Sequence, residues 1–127
     1  MKKITSFILA ALMCLGCLAA FSQAASAYDW GWISSVVKWN LYDNGLLNFS
    51  GTGLAYFGYY GVQSQYFEKI TEITLSEGIT GIIFEGENMP NLTKITLSST
   101  CTRVDGTPYN SSKLEKYVVP SGNIAYK

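Results

Sequence analysis

Lys69-Ile-Thr-Glu-Ile-Thr-Leu-Ser76 and Asn91-Leu-Thr-Lys-Ile-Thr-Leu-Ser98 decide the reading of this chain. They are one pattern written twice, 22 residues apart. Thr71, Ile73, Thr74, Leu75, Ser76 and Thr80 recur as Thr93, Ile95, Thr96, Leu97, Ser98 and Thr102. A third, looser copy follows at the same offset, Lys113-Leu-Glu-Lys-Tyr-Val-Val-Pro120. Chance copies single residues; it does not copy six in register.

Within each copy, side chains alternate as on a strand. Ile73 and Leu75 point one way, Glu72, Thr74 and Ser76 the other. Stacking the copies aligns Ile73, Ile95 and Tyr117, then Leu75, Leu97 and Val119, with Ile70, Leu92 and Leu114 behind them. A second inward pair follows each strand: Ile79 with Ile82, Cys101 with Val104, and the weaker Asn123 with Tyr126. One such unit cannot bury its apolar face alone, so the units must stack. A fixed period of this length is the mark of leucine-rich repeats.

Outward from the repeats, Ser35 to Ser50 reads as a β-hairpin. Val37, Trp39 and Leu41 alternate with polar residues before Asn44-Gly45; Leu47 and Phe49 do so after it. Alternation on both sides of Asn-Gly is a strong hairpin signal. Trp39, Leu41, Leu47 and Phe49 should share one buried face. Val62 to Lys69 suggests a short helix or turn. The expected fold is mainly β: a short solenoid of parallel strands behind an N-terminal hairpin cap. Its segments are a signal peptide over 1–27, the hairpin and aromatic cap over 28–68, and repeats over 69–127. The repeats divide at about 69–90, 91–112 and 113–127.

The N-terminus carries the export signal. Lys2 and Lys3 precede an apolar run from Ile8 to Phe21, and Ala25-Ser26-Ala27 supplies an A-x-A cleavage site. Cleavage would remove Cys14 and Cys17 and leave Cys101 alone, so no disulfide framework is expected within the mature chain. Cys101 stands where Ile79 stands one unit earlier and reads as a buried small hydrophobe, with an intermolecular disulfide as the alternative. No second apolar segment suggests a membrane span. The expected location is outside the cell, secreted or at its surface.

The charge balance narrows the partners. The 127-residue chain has nine basic and nine acidic residues; losing Lys2 and Lys3 leaves a net charge of −2. That disfavours nucleic acid and anionic membranes. There is no histidine. The commonest general bases, nucleophile dyads and zinc sites are therefore missing, and no cofactor is implied. Glu85 and Glu87 read as a solvated turn rather than an acid pair. The chain reads as a non-enzyme.

Ile73-Thr-Leu-Ser-Glu-Gly-Ile-Thr-Gly-Ile82 and Leu92-Thr-Lys-Ile-Thr-Leu97 resemble the BspA-like class of bacterial leucine-rich repeats. The stretch Trp39-Asn-Leu-Tyr-Asp-Asn-Gly-Leu-Leu-Asn-Phe-Ser-Gly-Thr-Gly53 is similar to the lead-in before such repeats. The resemblance spans Trp39 to Lys127. It implies a secreted or surface protein that binds other proteins, with adhesion to host matrix or to cells among the roles. This chain departs from the class after Phe84, where the usual Ala-Phe pair and cysteine are absent.

Two candidate sites follow. The outward positions Glu72, Thr74, Ser76, Lys94, Thr96, Ser98, Lys116 and Val118 form a concave strip, the place where solenoids bind an extracellular protein or surface ligand. Its plain alternative is a solvated sheet face. The rings of Tyr56, Phe57, Tyr59 and Tyr60, with Tyr66, Phe67, Trp30 and Trp32 nearby, either stack on sugars or anchor a partner protein, or they cover the open end of the core. No C-terminal cap is legible, so the last edge offers a route to self-association, as in a structural protein or a remnant of a larger one.

Overall fold

A computed structural model describes residues 26–59 and 61–126. The expected signal segment up to Ala25, and Tyr60 of the aromatic set, lie outside the described residues. Nine strands are described: β1 (Ala27–Trp32), β2 (Val37–Tyr42), β3 (Leu46–Gly51), β4 (Gly53–Tyr56), β5 (Glu72–Leu75), β6 (Ile79–Ile83), β7 (Lys94–Thr96), β8 (Arg103–Asp105) and β9 (Lys116–Val118). A 3-10 helix covers Ser64–Lys69, where the sequence suggests a helix or turn.

The strands form two sheets. One has six strands in the order β1-β2-β3-β5-β7-β9; the other has three, β4-β6-β8. β1, β2 and β3 pair antiparallel, and every pairing beyond β3 is parallel. The chain winds from a strand of the first sheet to one of the second and back, a β-solenoid. The expected ladder is present: Ile73 pairs with Ile95, and Ile95 with Tyr117. Leu97 donates its N–H to Val118 at 2.9 Å. The core lies between the sheets and includes Trp39, Leu41, Leu47, Phe49, Ile73, Leu75, Ile79, Ile82, Ile95 and Leu97.

The turns repeat with the sequence. Ile79 donates to Ser76, Cys101 to Ser98 and Asn123 to Pro120, at 3.1, 3.2 and 3.0 Å. Ile70, Leu92 and Leu114 likewise close on Phe67, Met89 and Ser111. The recurrent threonines stand at the corners. Thr93 Oγ1 donates to the Thr71 carbonyl at 3.0 Å, and Thr102 Oγ1 to that of Thr80 at 3.4 Å. Each hydroxyl reaches the same residue one coil back, a physical reason for their identity across copies.

Two features are not visible in the period. β3 and β4 form a coil of their own: Leu47 pairs with Ile73 and Phe49 with Leu75, while Ala55 pairs with Ile82. The hairpin thus leads directly into the stack. At the other end, where the sequence shows no cap, side chains close the second sheet. Asn123 is buried, and its Nδ2 donates to the carbonyls of Ser98 and Cys101 at 2.9 and 2.7 Å. Its Oδ1 accepts from the N–H groups of Ala125 and Tyr126. Tyr126 Oη accepts from Val104 N at 2.9 Å. Polar side chains here occupy the Val104 N–H of β8 and the carbonyls of the turn before it.

Candidate interaction face

The face of the first sheet turned from the core is built by strand alternation. One row crosses all six strands in register: Trp30, Asn40, Asn48, Thr74, Thr96 and Val118. A second row runs Leu46, Glu72, Lys94 and Lys116. A third begins with Trp32, Lys38 and Ser50. The hairpin strands therefore extend the strip expected from the repeats.

Local contacts fix this face. Lys94 Nζ lies 2.9 Å from the Glu72 carboxylate. Asn48 Nδ2 donates to Ser76 Oγ at 3.1 Å and to the Thr74 carbonyl at 3.3 Å, tying the hairpin to the first repeat strand. Lys38 Nζ sits 4.9 Å from the centre of the Trp30 ring, a cation–π contact. Trp30 and Trp32 are each 56% exposed. Across the sheet from them Lys116 is exposed, and Thr96 and Val118 are half-buried. The strip thus has an aromatic end and a basic end.

One residue of the expected strip lies elsewhere. Ser98 is buried, with its hydroxyl donating to the Ile79 carbonyl at 2.6 Å. Strand alternation ends at Leu97; Ser98 opens the corner turn and is covered by Asn123. Glu72, Thr74, Ser76, Lys94, Thr96, Lys116 and Val118 come together on the first sheet, with Ser76 held at its border by Asn48.

The aromatic set divides. Phe57 is interior: it stacks on Phe84 with centroids 5.4 Å apart and meets Phe49 and Phe67 edge-on. Burial by these rings is why it cannot stack on a ligand face as an exposed ring would. Tyr56 packs half-buried against the core. Tyr59 is 89% exposed. Tyr66 leans on Trp39, with centroids 5.5 Å apart, and donates its hydroxyl to Asp29. That bond holds the Asp29 carboxyl below its ordinary value, helped by the Trp30 N–H at 2.8 Å. Trp30 and Trp32 belong to the sheet face rather than to this set. Their alternation with Asp29 and Gly31 is the sequence signal for β1, and Gly31 leaves room for the Trp39 ring beneath it.

Cys101 is fully buried, and burial pushes its thiol up, as fits a small hydrophobe on the Ile79 ladder. Among the described residues, no three carboxylate or thiol groups gather to hold a metal ion. No described helix is long and apolar enough to cross a membrane.

Comparison with known proteins follows the fold. No family model matches the sequence, and no curated protein matches it. A solved structure does: a leucine-rich repeat protein from Eubacterium ventriosum, 32% identical over 76% of this chain, with a TM-score of 0.56. The chain spans about a quarter of that protein's length, 26%. By repeat, by fold and by this likeness, the chain folds as a short leucine-rich-repeat-like solenoid, similar to a bacterial leucine-rich repeat protein.

Proposed function

We propose that this chain is a non-catalytic interaction module of BspA-like type, exported from the cell, which holds an extracellular protein on the outer face of its six-stranded sheet. The observation that carries this reading is the unbroken row from Trp30 to Val118. Six strands spaced about 4.8 Å make a strip roughly 30 Å long, about 20 Å wide over the six-residue strands β1 to β3 and about 10 Å wide over the three-residue β7 and β9, a little over half of the ~800 Å² that one side of a stable interface covers. The repeats alone would supply half that length. Tryptophan at one end and lysine at the other suit a protein partner, since aromatic anchors carry binding energy and rim charges steer the encounter. Export rests on the basic start, the apolar run and the A-x-A site.

The test uses the chain without its signal segment, immobilised and exposed to matrix proteins and to intact bacterial and host cells. A partner found this way should bind Trp30→Ala, and separately the double variant Lys94→Glu and Lys116→Glu, about tenfold more weakly, one lost contact of ordinary size. Unchanged affinity in both variants would remove the sheet face from consideration.

A further inference from the structure

The loops after β4 and β6 and the 3-10 helix enclose an open cleft of ≈ 910 Å³. It falls within the roughly 300–1,000 Å³ of small-molecule sites. Phe57 and Phe67 form its floor; Tyr59, Gln63, Gln65 and Glu87 are among its walls. We propose that this cleft binds a neutral oligosaccharide, at a site whose rim residues Tyr59 and Gln63 border Trp30 and Trp32 of the sheet.

The lining chooses the ligand class. No lysine or arginine lines the cleft, while Glu85 and Glu87 do. Carboxylates repel acidic sugars, phosphates and nucleotides. A caged ammonium ion needs several ring faces around it. Here the Phe57 face is taken by Phe84, at an interplanar angle of 19°, and its edge contacts by Phe49 and Phe67. A pyranose asks for something different: one ring beside its C–H face, and several acceptors and donors around its hydroxyls. Tyr59 stands at the rim. Gln63 and Ser64 bring an amide and a hydroxyl from the start of the helix segment, while the Gln65 amide is engaged by Tyr66.

Glu87 is the fixed acceptor. It is only 8% exposed, and both carboxylate oxygens lie near Glu85 N, at 3.1 and 2.9 Å. The turn that holds it is itself tied down, because Glu87 O accepts from Tyr109 N at 2.7 Å. An acceptor already oriented loses little freedom on binding. Gly58 and Gly86 stand on opposite loops at the mouth with left-handed φ angles of 95° and 103°. A Cβ built on either meets nothing within 4 Å, so the entrance is open above both.

The experiment is an amide nitrogen–proton correlation spectrum of the chain without its signal segment. It is titrated with neutral trisaccharides of glucose, mannose and N-acetylglucosamine, and with trigalacturonic acid. At least one neutral sugar should give saturable shifts at Gly58, Gln63, Gln65 and Gly86, with a Kd of about 0.1–5 mM, usual for a shallow weak site. Tyr59→Ala and Gln63→Ala, their folded spectra intact, should each weaken it at least about fivefold. Lys94→Glu on the sheet face should leave it unchanged, which separates this site from the protein-binding face. The proposal is overturned by an absence of shifts at about 10 mM of each neutral sugar, by shifts confined to other residues, or by equal binding of trigalacturonic acid.

Discussion

The first coil and the two that follow it reach the same geometry from different sequences. In the later coils, corner threonines recur and the spacing is 22 residues, as from Ile73 to Ile95. From Leu47 to Ile73 the spacing is 26, and the hairpin turn stands where the later coils have threonine. The hydrogen bonds are nonetheless continuous: Thr71 N donates to Gly45 O, Thr93 N to Thr71 O and Glu115 N to Thr93 O, at 2.8, 2.8 and 3.0 Å. A coil therefore needs a corner carbonyl and an inward apolar ladder. The threonine hydroxyl adds a second bond but does not define the turn.

If the first coil belongs to the stack, its core residues should cost as much as those of the repeats. Phe49→Ala should destabilise by about 3–5 kcal/mol and Ile95→Ala by about 2–5, because both side chains are fully buried. Tyr117→Ala, on the same ladder but 39% exposed, should cost about 1 kcal/mol or less. Urea unfolding followed by circular dichroism measures all three. A small cost for Phe49→Ala, with a separate early transition, would make the hairpin an appended cap instead of a rung.

This comparison also explains what was legible. Periodic identity and alternation exposed the later coils, and Asn44-Gly45 exposed the hairpin turn. The first coil escaped notice because it shares the ladder without the 22-residue step. Alternation carried along the repeat puts Ser98 on the strip, but β7 ends at Thr96 and Ser98 turns inward two residues later. Composition groups Trp30 and Trp32 with the other rings, although their alternation with Asp29 and Gly31 fits a strand, and the structure has them on β1. The hollow at Tyr59 and Glu87 draws on the loops after β4 and β6 and on the 3-10 helix, and no local pattern brings those together. In the repeat register Asn123 is a poor copy of Ile79. Its polarity is its use, since it donates to the buried carbonyls of Ser98 and Cys101.

The two ends of the described stack can be set against each other through that residue. The N-terminal end is closed by antiparallel strands, the C-terminal end of the second sheet by two side chains. Asn123→Ala should cost about 1–3 kcal/mol, since it takes the Asn123 donor from the Cys101 carbonyl, while the Ser98 carbonyl keeps the Cys101 N–H. Tyr126→Phe should cost about 1 kcal/mol and speed hydrogen exchange at Val104 N. Equal exchange in the variant and the parent would show that Tyr126 is not what protects that edge.

Acid distinguishes the same regions with a smaller effect. Glu77 ties one repeat coil to the next, accepting from Ser99 Oγ and, at 3.0 Å, from Ser99 N. The Ser99 hydroxyl, then its N–H, hold the Glu77 carboxyl below its ordinary value of 4.5. Asp29, held low by Tyr66, ties the hairpin to the 3-10 helix instead. For both groups the folded chain takes up its proton at lower pH than the unfolded chain. Their stabilisation is therefore complete above the ordinary carboxylate values and is lost as pH falls through the lowered ones. Glu77→Gln should lower the thermal midpoint slightly at pH 7, and its deficit against the parent should shrink by pH 3. What acid sensitivity remains in that variant should fall further when Asp29→Asn is added, because the two ties serve different ends of the stack. A deficit for Glu77→Gln that is constant with pH would mean that the Glu77 charge does not couple the coils, leaving the corner threonines and the ladder to do so without any titrating group.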